Sequence, residues 1–586
     1  MPAPVAPSLV LGPLLRHVDE SSAAVWVETT GSATVTVRAG DRSWSARTFR
    51  VHDHHYALVS CEGLEPGTVT PYSVLVDDSL VWPPPDPASS GWPRHIERAQ
   101  SDEAGLPPSV IATLTPGKPL RLAFGSCRTS VAHDEKGNRT HGIDALRAYA
   151  LALGGVTQTK DELARPDLLL FLGDQVYADE TTQAMQEFIE SRRDIDEPPG
   201  KELADYAEYA HLYRLAWSDP ANRWLLSTLP SAMIFDDHDI RDDWNTSAQW
   251  RREMEATSWW HGRIVAGLAS YWVYQHLGNL SPAARAEDEI WRLVLDHEAD
   301  DELDLTEALD EFAERVDKDP SAYRWSYARE FGRTRLVVVD SRAARVLEDD
   351  RRSLLDPTEM AWLDEQMRGD VEHLLVGTSL PFLLPQGLHH LEAFSEALAG
   401  GAWGKVGGRF GERLRQAVDL EHWGAFQHGF REVAEMALEV ATGKRGAAPR
   451  TVTFLSGDVH HSYVSQVTGL PGECQIVQAV CSPIRNPLPR SMRFATAALS
   501  YGIAGPMGLL AARSAKVPDP PFRWNRVRGP WFDNNLAELE VTEDGLHMSW
   551  GTGEVEDGRH DRPLLRTVSD VVIDRDGRAR TRRRDW

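Results

Sequence analysis

Two short motifs place metal-binding side chains directly after apolar segments. The first is Gly173–Tyr177, with the letters GDQVY, which follows the apolar segment Leu168–Leu172. The second is Gly457–His461, with the letters GDVHH, which follows Thr451–Leu455. Carboxylates, phenolates and imidazoles are ligands that proteins use for iron and for divalent cations. The two motifs together predict a metal site.

Two further apolar segments end in reactive side chains. Met233–Phe235 is followed by Asp236–Asp239, which is three carboxylates around a histidine, and Leu120–Phe124 is followed within four residues by Cys127 and Arg128. Unpaired carboxylates are costly to bury, so several in one cleft imply a cation that offsets their repulsion.

The apolar segments themselves predict the elements that position these residues. Leu168–Leu172 is continuous, apolar and of strand length, which is typical of a strand covered on both faces in an α/β sheet. Thr451–Leu455 is rich in β-branched and aromatic residues. Ligands of open α/β sheets bind at the carboxyl ends of strands, so we expect the four motifs to converge there.

The order of five motifs, over about residues 119 to 500, resembles the PhoD-type alkaline phosphatase family. The motifs are Phe124–Cys127, Gly173–Tyr177, Asp236–Asp239, Gly377–Pro381 and Gly457–His461. Relatives of that family are the purple acid phosphatases and the calcineurin-like metallophosphoesterases. The resemblance implies an α/β fold, the four-layer α/β/β/α metallophosphoesterase sandwich with mixed sheets, and a phosphoric ester hydrolase.

The resemblance also implies a two-metal site in which Asp174 bridges the ions. Carried over motif by motif, ferric iron would take Cys127, Asp174, Tyr177 and His460, and the second ion would take Asp174, Asp237 and Asp458. The second set is all oxygen, and Gly377–Pro381 adds no histidine, which favours calcium or magnesium over zinc. We therefore expect Fe³⁺ with one or two Ca²⁺, or Mg²⁺ or Mn²⁺ in place of calcium.

The expected chemistry is attack on phosphorus by a water that the two cations activate. His238 matches the histidine that faces the leaving group in the superfamily, so we expect it to act as general acid, with Asp239 as its partner. Arg128 is the first candidate for binding phosphate and Arg241 the second. For Arg342 the sequence leaves two roles open, substrate contact and structural ion pair.

Simpler interpretations exist for each residue taken alone. An aspartate after a strand is often a helix cap or turn residue, Tyr177 could be a packed aromatic, and Cys127 could be a small core residue. The histidines at 389, 390, 422 and 428 have no partner motif and are expected at the surface or in packing roles. Alternative functions are a nuclease or nucleotide pyrophosphatase on the same core, or a non-catalytic binding module.

Composition limits the class of protein. The 586 residues are 42% hydrophobic and 26% charged with a formal net charge of −26, which fits a multidomain globular chain and argues against a nucleic-acid partner. Small phosphate esters or phosphodiesters are the partners that the resemblance implies. The four cysteines are scattered, which argues against a disulfide framework. No secretory signal, twin-arginine motif or membrane span is visible, so a cytoplasmic location is expected. The sequence does not indicate an oligomeric state.

Pattern changes along the chain divide it into three parts. Residues 1–115 contain short alternating strands separated by turns, which predicts a small fibronectin- or immunoglobulin-like β-sandwich. Residues 116–555 are the expected catalytic domain, with helical insertions at about 182–230 and 247–318 and a third excursion at about 388–445. Residues 556–586 are expected to be a C-terminal tail.

Overall fold

The computed structural model describes residues 6–84, 105–159, 163–348, 352–404, 421–489, 492–493 and 504–581. Its strands are β1 (Leu9–Val18), β2 (Ser22–Thr29), β3 (Thr34–Ala39), β4 (Arg42–Arg47), β5 (Phe49–Val51), β6 (His54–Glu62), β7 (Val69–Val76), β8 (Ser79–Trp82), β9 (Val110–Ala112), β10 (Arg121–Gly125), β11 (Leu168–Leu172), β12 (Ser231–Ile234), β13 (Leu303–Asp304), β14 (Tyr327–Phe331), β15 (Thr334–Val339), β16 (His373–Thr378), β17 (Thr451–Ser456), β18 (Ser462–Thr468), β19 (Gln475–Val480), β20 (Arg523–Trp531), β21 (Leu536–Thr542), β22 (Gly545–Glu554), β23 (Leu564–Asp574) and β24 (Ala579–Thr581).

The α-helices are α1 (Glu135–His141), α2 (Ala145–Leu153), α3 (Gln183–Glu190), α4 (Tyr206–Trp217), α5 (Pro220–Thr228), α6 (Ala248–Glu255), α7 (Trp260–Tyr271), α8 (Pro282–Glu287), α9 (Glu289–Leu295), α10 (Thr306–Lys318), α11 (Pro357–Gln366), α12 (Gln386–Ala399), α13 (Gln427–Ala441) and α14 (Ala504–Ser514). A π-helix, Trp272–His276, continues α7, and 3₁₀ turns occur at Leu277–Asn279, Pro320–Ala322 and Trp423–Ala425.

Two mixed seven-stranded sheets form the centre of the molecule. The first has the order β12-β11-β10-β21-β22-β23-β24 and the second β14-β15-β16-β17-β19-β18-β20. Strands β10 to β12 are parallel in the first sheet, as are β15, β16, β17 and β19 in the second, and the remaining neighbours pair antiparallel. The parallel strands are buried along their whole length, which explains why they read as continuous apolar runs.

The sheets pack face to face between outer helices. Side chains of both sheets share one core, in which Leu170 of β11 and Leu375 of β16 take part. On the outer face of the second sheet a separate core includes Val452 of β17 and Phe430 of α13, and α2 packs on β22 and β23 outside the first sheet. The expected four-layer α/β/β/α sandwich is therefore confirmed.

An all-β sandwich precedes this core, as predicted. Its sheets have the orders β1-β2-β6-β5-β13 and β4-β3-β7-β8, with β9 on β7, and they enclose their own apolar core. Strand β13 comes from the second insertion and pairs parallel with β5. The sandwich and the catalytic core are thus joined by a shared sheet.

The predicted tail at 556–586 is wrong over most of its length. Strand β23 pairs with β22 along its whole length, and β24 pairs with β23, so both strands complete the first sheet. Residues 582–586 lie outside the described part of the chain. The basic composition of the C-terminal residues gave no sign that β23 pairs with β22, because this pairing is a long-range contact.

Among the described helices, none has the length and apolar character needed to cross a bilayer. The cytoplasmic location stays a prediction from the sequence.

Candidate metal centre

Four strand ends deliver the candidate ligands to one cleft. Cys127 follows β10, Asp174 follows β11 and Asp236 and Asp237 follow β12, all from the parallel half of the first sheet. Asp458 follows β17 of the second sheet. The backbone amide of Cys127 donates to the carbonyl of Gly173 at 3.3 Å, so the loops after β10 and β11 run side by side. The edge where ligands of α/β sheets bind is therefore where these side chains meet.

The first ligand group contains sulfur, oxygen and nitrogen. Sγ of Cys127, a carboxylate oxygen of Asp174 and a ring nitrogen of His460 lie within 4.8 Å of one another. The hydroxyl of the buried Tyr177 lies 3.5 Å from Oδ2 of Asp174. Nδ1 of His460 lies 2.7 Å from the carbonyl of Asn486 and donates to it, which leaves Nε2 as the ligand atom. The structure thus brings all four predicted iron ligands together.

The second ligand group is made of carboxylates alone. Asp174, Asp236, Asp237 and Asp458 each offer an oxygen within 4.8 Å of the others. Asp174 belongs to both groups, which is the arrangement expected of a bridging carboxylate. Asp236 was not predicted as a ligand; its signal in the sequence was its place at the start of the four-residue acidic motif.

The backbone is strained where these ligands lie. Cys127, Asp174, Asp458 and His460 all have positive φ angles, of 58°, 47°, 64° and 51°. Such a conformation costs a residue other than glycine about 1–3 kcal/mol and is concentrated at functional sites. The strain at the four positions supports a functional role for the four side chains.

Both motif glycines are required by close packing. A Cβ on Gly173 would lie 2.7 Å from Cβ of Asp236, and Gly173 itself has a φ of 103°. A Cβ on Gly457 would lie 2.0 Å from Oγ of Ser126. Gly173 therefore lets the loops after the neighbouring strands β11 and β12 approach each other, and Gly457 lets the second sheet approach the first, so that their ligands meet.

Several carboxylate oxygens of this centre lack a hydrogen-bond partner. Oδ1 of Asp174 and Oδ2 of Asp236 are buried without one in the described structure, and Oδ1 of Asp237 has only the ion-pair contact with Arg342 at 3.1 Å. Burial, with the Cys127 thiol and the neighbouring carboxylates, raises the pKa of Asp174 well above its ordinary value. A bound cation would remove this penalty, so the residues present fit a cation-binding site.

His238 is held by Asp179, not by Asp239. Nδ1 of His238 lies 3.0 Å from both oxygens of Asp179, and its ring lies on Tyr177 with centroids 4.7 Å apart. Burial opposes the charged form, but Asp179 and Asp237 raise the pKa of His238 well above its ordinary value. Asp179 follows Tyr177 by two residues, and sequence reasoning missed it.

Asp239, predicted as the partner of His238, instead binds two backbone amides. Its Oδ2 accepts hydrogen bonds from the backbone amides of Asp174 at 3.0 Å and Asp236 at 2.9 Å. These amides end two neighbouring parallel strands and have no partner within the sheet. Asp239 therefore fixes the two ligand-bearing loops relative to one another.

Arg128 and Arg241, the first and second candidates for binding phosphate, already form ion pairs within the protein. Nε and Nη2 of the buried Arg128 donate to Oδ2 of Asp144 at 3.1 and 2.7 Å, and its Nη1 donates to a backbone carbonyl. Arg241 donates to both oxygens of Glu202 at 3.0 and 3.3 Å. In this structure both arginines therefore hold parts of the fold together instead of pointing to an open substrate site.

Arg342 is fully buried inside an ion-pair network. Its guanidinium contacts Asp236 and Glu421 and lies 3.1 Å from Oδ1 of Asp237. Of the two roles left open by the sequence, the structure favours the ion pair. Arg342 balances part of the negative charge beside the all-carboxylate group.

His422 lies at the centre, although no motif indicated it and a surface or packing role was expected. Its Nε2 is 2.8 Å from Oδ2 of Asp458, and its Nδ1 is 2.6 Å from Oε1 of Glu392 in α12. Burial opposes the charged form, but Glu392 and Asp458 raise the pKa of His422 well above its ordinary value. The expectation for His422 was therefore wrong.

A family model described as PhoD-like phosphatase matches residues 154–504, which include three of the four ligand-bearing strand ends. The chain belongs to the PhoD-like phosphatase family. A second model, a domain of unknown function (DUF7800), matches residues 6–93 of this PhoD-like phosphatase, and the described part of that range, residues 6–84, forms most of the N-terminal sandwich.

A solved structure of PhoD has the same fold. A structure of PhoD aligns over 99% of this chain and 93% of that chain, with a TM-score of 0.57 and 14% sequence identity. A maltogenic amylase from S. marinus aligns over 94% of this chain and 80% of that chain with a TM-score of only 0.15 and 9% identity, and nothing follows from it. The comparison with curated proteins found no match.

Proposed function

We propose that this PhoD-like phosphatase is a metal-dependent hydrolase of phosphoric monoesters and diesters. The observation that carries the proposal is Asp174, whose carboxylate belongs to both ligand groups. A carboxylate shared by the two groups would hold two cations close to one another, as two-metal phosphoesterases require. Family membership supports the hydrolase, and the paired groups support its dependence on metals.

The donor types support different ions in the two groups. Thiolate, phenolate and imidazole from Cys127, Tyr177 and His460 suit ferric iron, whereas the carboxylates of Asp237 and Asp458 suit calcium, with magnesium or manganese as substitutes. One or two calcium ions fit the acidic surroundings. When bound, the ions would supply a water acidic enough to attack phosphorus and would offset the charge that develops on it.

The chain's own groups provide the proton and the orientation. His238 follows the ligand Asp237, and Asp179 holds Nδ1 of His238. Nε2, which lies 3.8 Å from the exposed Asp242, is the atom that would donate its proton to the leaving oxygen. We assign neutralisation of the phosphate charge to the cations and to His238. The three arginines predicted to contact phosphate, at positions 128, 241 and 342, already donate hydrogen bonds or form ion pairs within the protein.

Competent side chains at every ligand position support catalysis over a binding module that has kept the scaffold. Cys127, Asp174 and His460 are grouped closely enough for a single ion, and so are the four carboxylates. A decayed site would be expected to have lost at least one of these residues.

The test is hydrolysis of p-nitrophenyl phosphate, bis-p-nitrophenyl phosphate and the p-nitrophenyl ester of thymidine 5′-monophosphate by protein with determined iron and calcium content. We expect turnover that a chelator removes and calcium restores, and that is lost in Asp174→Asn. The matched control is Asp167→Asn, because Asp167 lies at the other end of β11, where it binds Lys118 and the Arg121 amide.

Each outcome of this test is informative. Metal-loaded wild type that hydrolyses none of the three esters would contradict the proposal and favour the binding module. Turnover confined to the nucleotide ester would favour a nuclease or pyrophosphatase on the same core. Equal activity of wild type and Asp174→Asn would exclude the bridging role.

A further inference from the structure

The segment Glu421–His422 lies against the all-carboxylate group from outside. It precedes the 3₁₀ turn Trp423–Ala425, far along the chain from any of the ligand-bearing strands. Both side chains are buried although both can carry charge. A buried ionisable pair with no place in the family motifs requires a reason.

The contacts of the segment supply that reason. Glu421 forms ion pairs with Arg342, and Arg342 in turn contacts Asp236 and Asp237. His422 donates to Asp458 at 2.8 Å. Two consecutive residues therefore reach both sides of the carboxylate group, one through an arginine and the other directly.

His422 is fixed at both ring nitrogens. Its Nδ1 lies 2.6 Å from Oε1 of Glu392, a fully buried residue of α12. A Cβ on Gly424 would lie 2.6 Å from Oε2 of Glu392, so only glycine lets this segment pack so close to α12. The ring has one orientation, and Nε2 points at Asp458.

We infer that His422 is the positioning residue for Asp458 in the second cation site, and that Glu392 in turn orients His422. The inference rests on the proposed function. A carboxylate has about four lone-pair sites, so Asp458 can accept this hydrogen bond and still bind a cation. Such outer partners typically change metal affinity about 10- to 100-fold. The third insertion thereby completes the metal centre.

The test measures cation affinity rather than turnover. Calcium is titrated by calorimetry into iron-loaded wild type, His422→Leu, His422→Gln and Glu392→Gln, while the visible absorption of the iron site is recorded. His422→Leu removes the donor to Asp458. His422→Gln keeps an N–H at about the same position. The control is His389→Gln, because His389 is a buried histidine of the same helix as Glu392, and its ring nitrogens make no hydrogen bond in the described structure.

We expect calcium affinity to fall about 10- to 100-fold in His422→Leu with the iron absorption unchanged. His422→Gln should stay within about threefold of wild type, Glu392→Gln should fall between the two, and His389→Gln should match wild type. Equal affinity of His422→Leu and wild type would overturn the inference alone. A loss in His422→Gln as large as in His422→Leu would make His422 itself a ligand, which also overturns it. Wild type that takes up no calcium, magnesium or manganese would refute the inference and the proposed function together.

Discussion

The side-chain amide of Gln275 donates a hydrogen bond to Oδ1 of Asp239 at 3.0 Å. Oδ2 of the same carboxylate holds the amides of Asp174 and Asp236. Gln275 lies in the π-helix Trp272–His276, a kind of irregular turn that occurs often near functional sites. The helical insertion therefore supports the two ligand loops through a single buried carboxylate.

Gln275→Leu is expected to lower the free energy of unfolding by about 1–3 kcal/mol, because it leaves a buried oxygen of Asp239 poorly satisfied. Iron content should fall as the loops loosen. Urea unfolding and metal analysis of the purified variant provide the measurement. Gln249→Leu is the control, since Gln249 is exposed on α6 and bonds only Glu253 among the described residues. Unchanged stability and iron content in Gln275→Leu would refute the support role.

The N-terminal sandwich reaches the same network through Arg16. Its guanidinium donates to the carbonyl of Gln275 and, at 3.3 Å, to Oδ1 of Asn279. Gly278 makes room for it, because a Cβ there would lie 2.0 Å from Nε of Arg16. The sandwich thereby contacts the helical segment whose Gln275 holds Asp239.

Gly278→Ala is therefore expected to displace Arg16 and to lower the melting temperature by several degrees, as overpacking by about 1–3 kcal/mol would. The control is Gly262→Ala in α7, where the nearest atom to the new Cβ lies 3.5 Å away and alanine favours the helix by about 1 kcal/mol. Differential scanning calorimetry measures the melting temperatures of both variants. A lower melting temperature in Gly278→Ala with an equal or higher one in Gly262→Ala supports the packing argument, and an unchanged melting temperature in Gly278→Ala would contradict it.

The parts of the site that could be predicted are those with a local pattern. Asp174 and Asp458 follow apolar runs, and the rule that ligands gather at the ends of parallel strands places them in one cleft. The bonding of Asp239 was not predictable, because it depends on amides that two neighbouring strands leave unpaired. Its proximity to His238 in the sequence suggested the wrong partner.

Residues from the insertions escaped prediction for a different reason. His422 and Glu392 reach Asp458 from helical and turn segments that have no fixed spacing from the motifs. Strand β23 escaped because its burial is partial and its partner β22 is defined only by long-range pairing. Tertiary contacts of this kind leave no period or motif in the sequence.

Asp179→Asn is expected to slow proton donation by His238, because Asp179 holds Nδ1 of His238 at 3.0 Å. The loss should depend on the leaving group. Turnover of a phenyl phosphate, whose leaving oxygen needs a proton, should fall roughly 10- to 100-fold, and turnover of the p-nitrophenyl ester much less. The measurement is kcat on both esters, with Glu180→Gln as the control, since Glu180 is exposed and directly follows Asp179 in the chain. Equal losses on both esters would contradict the general-acid role.

Arg342→Met is expected to destabilise the protein by about 3–5 kcal/mol, because removal of one partner from a buried ion-pair network leaves unpaired carboxylates. The variant is compared with wild type by urea unfolding, and Arg241→Met is the control because the side chains of its pair with Glu202 are 26% and 24% exposed, whereas Arg342 is fully buried. A stable Arg342→Met variant with a raised KM would instead assign Arg342 to substrate binding.

The buried carboxyl of Glu359 is expected to make the stability of the protein depend on pH. It is buried in the first turn of α11, and burial together with Asp340 raises the pKa of Glu359 to about 8. The folded state therefore keeps a proton that the unfolded state has lost, so the stabilising effect of that proton is complete below about pH 4.5 and declines as the pH rises through 8.

Glu359→Gln is neutral and should escape this decline. From about pH 5 to about pH 9 the variant should gain roughly 2–4 kcal/mol relative to wild type. Unfolding free energies across this pH range provide the measurement, and Glu365→Gln on the exposed face of the same helix is the control. Parallel pH profiles of Glu359→Gln and wild type would show that the carboxyl is not protonated in the folded state.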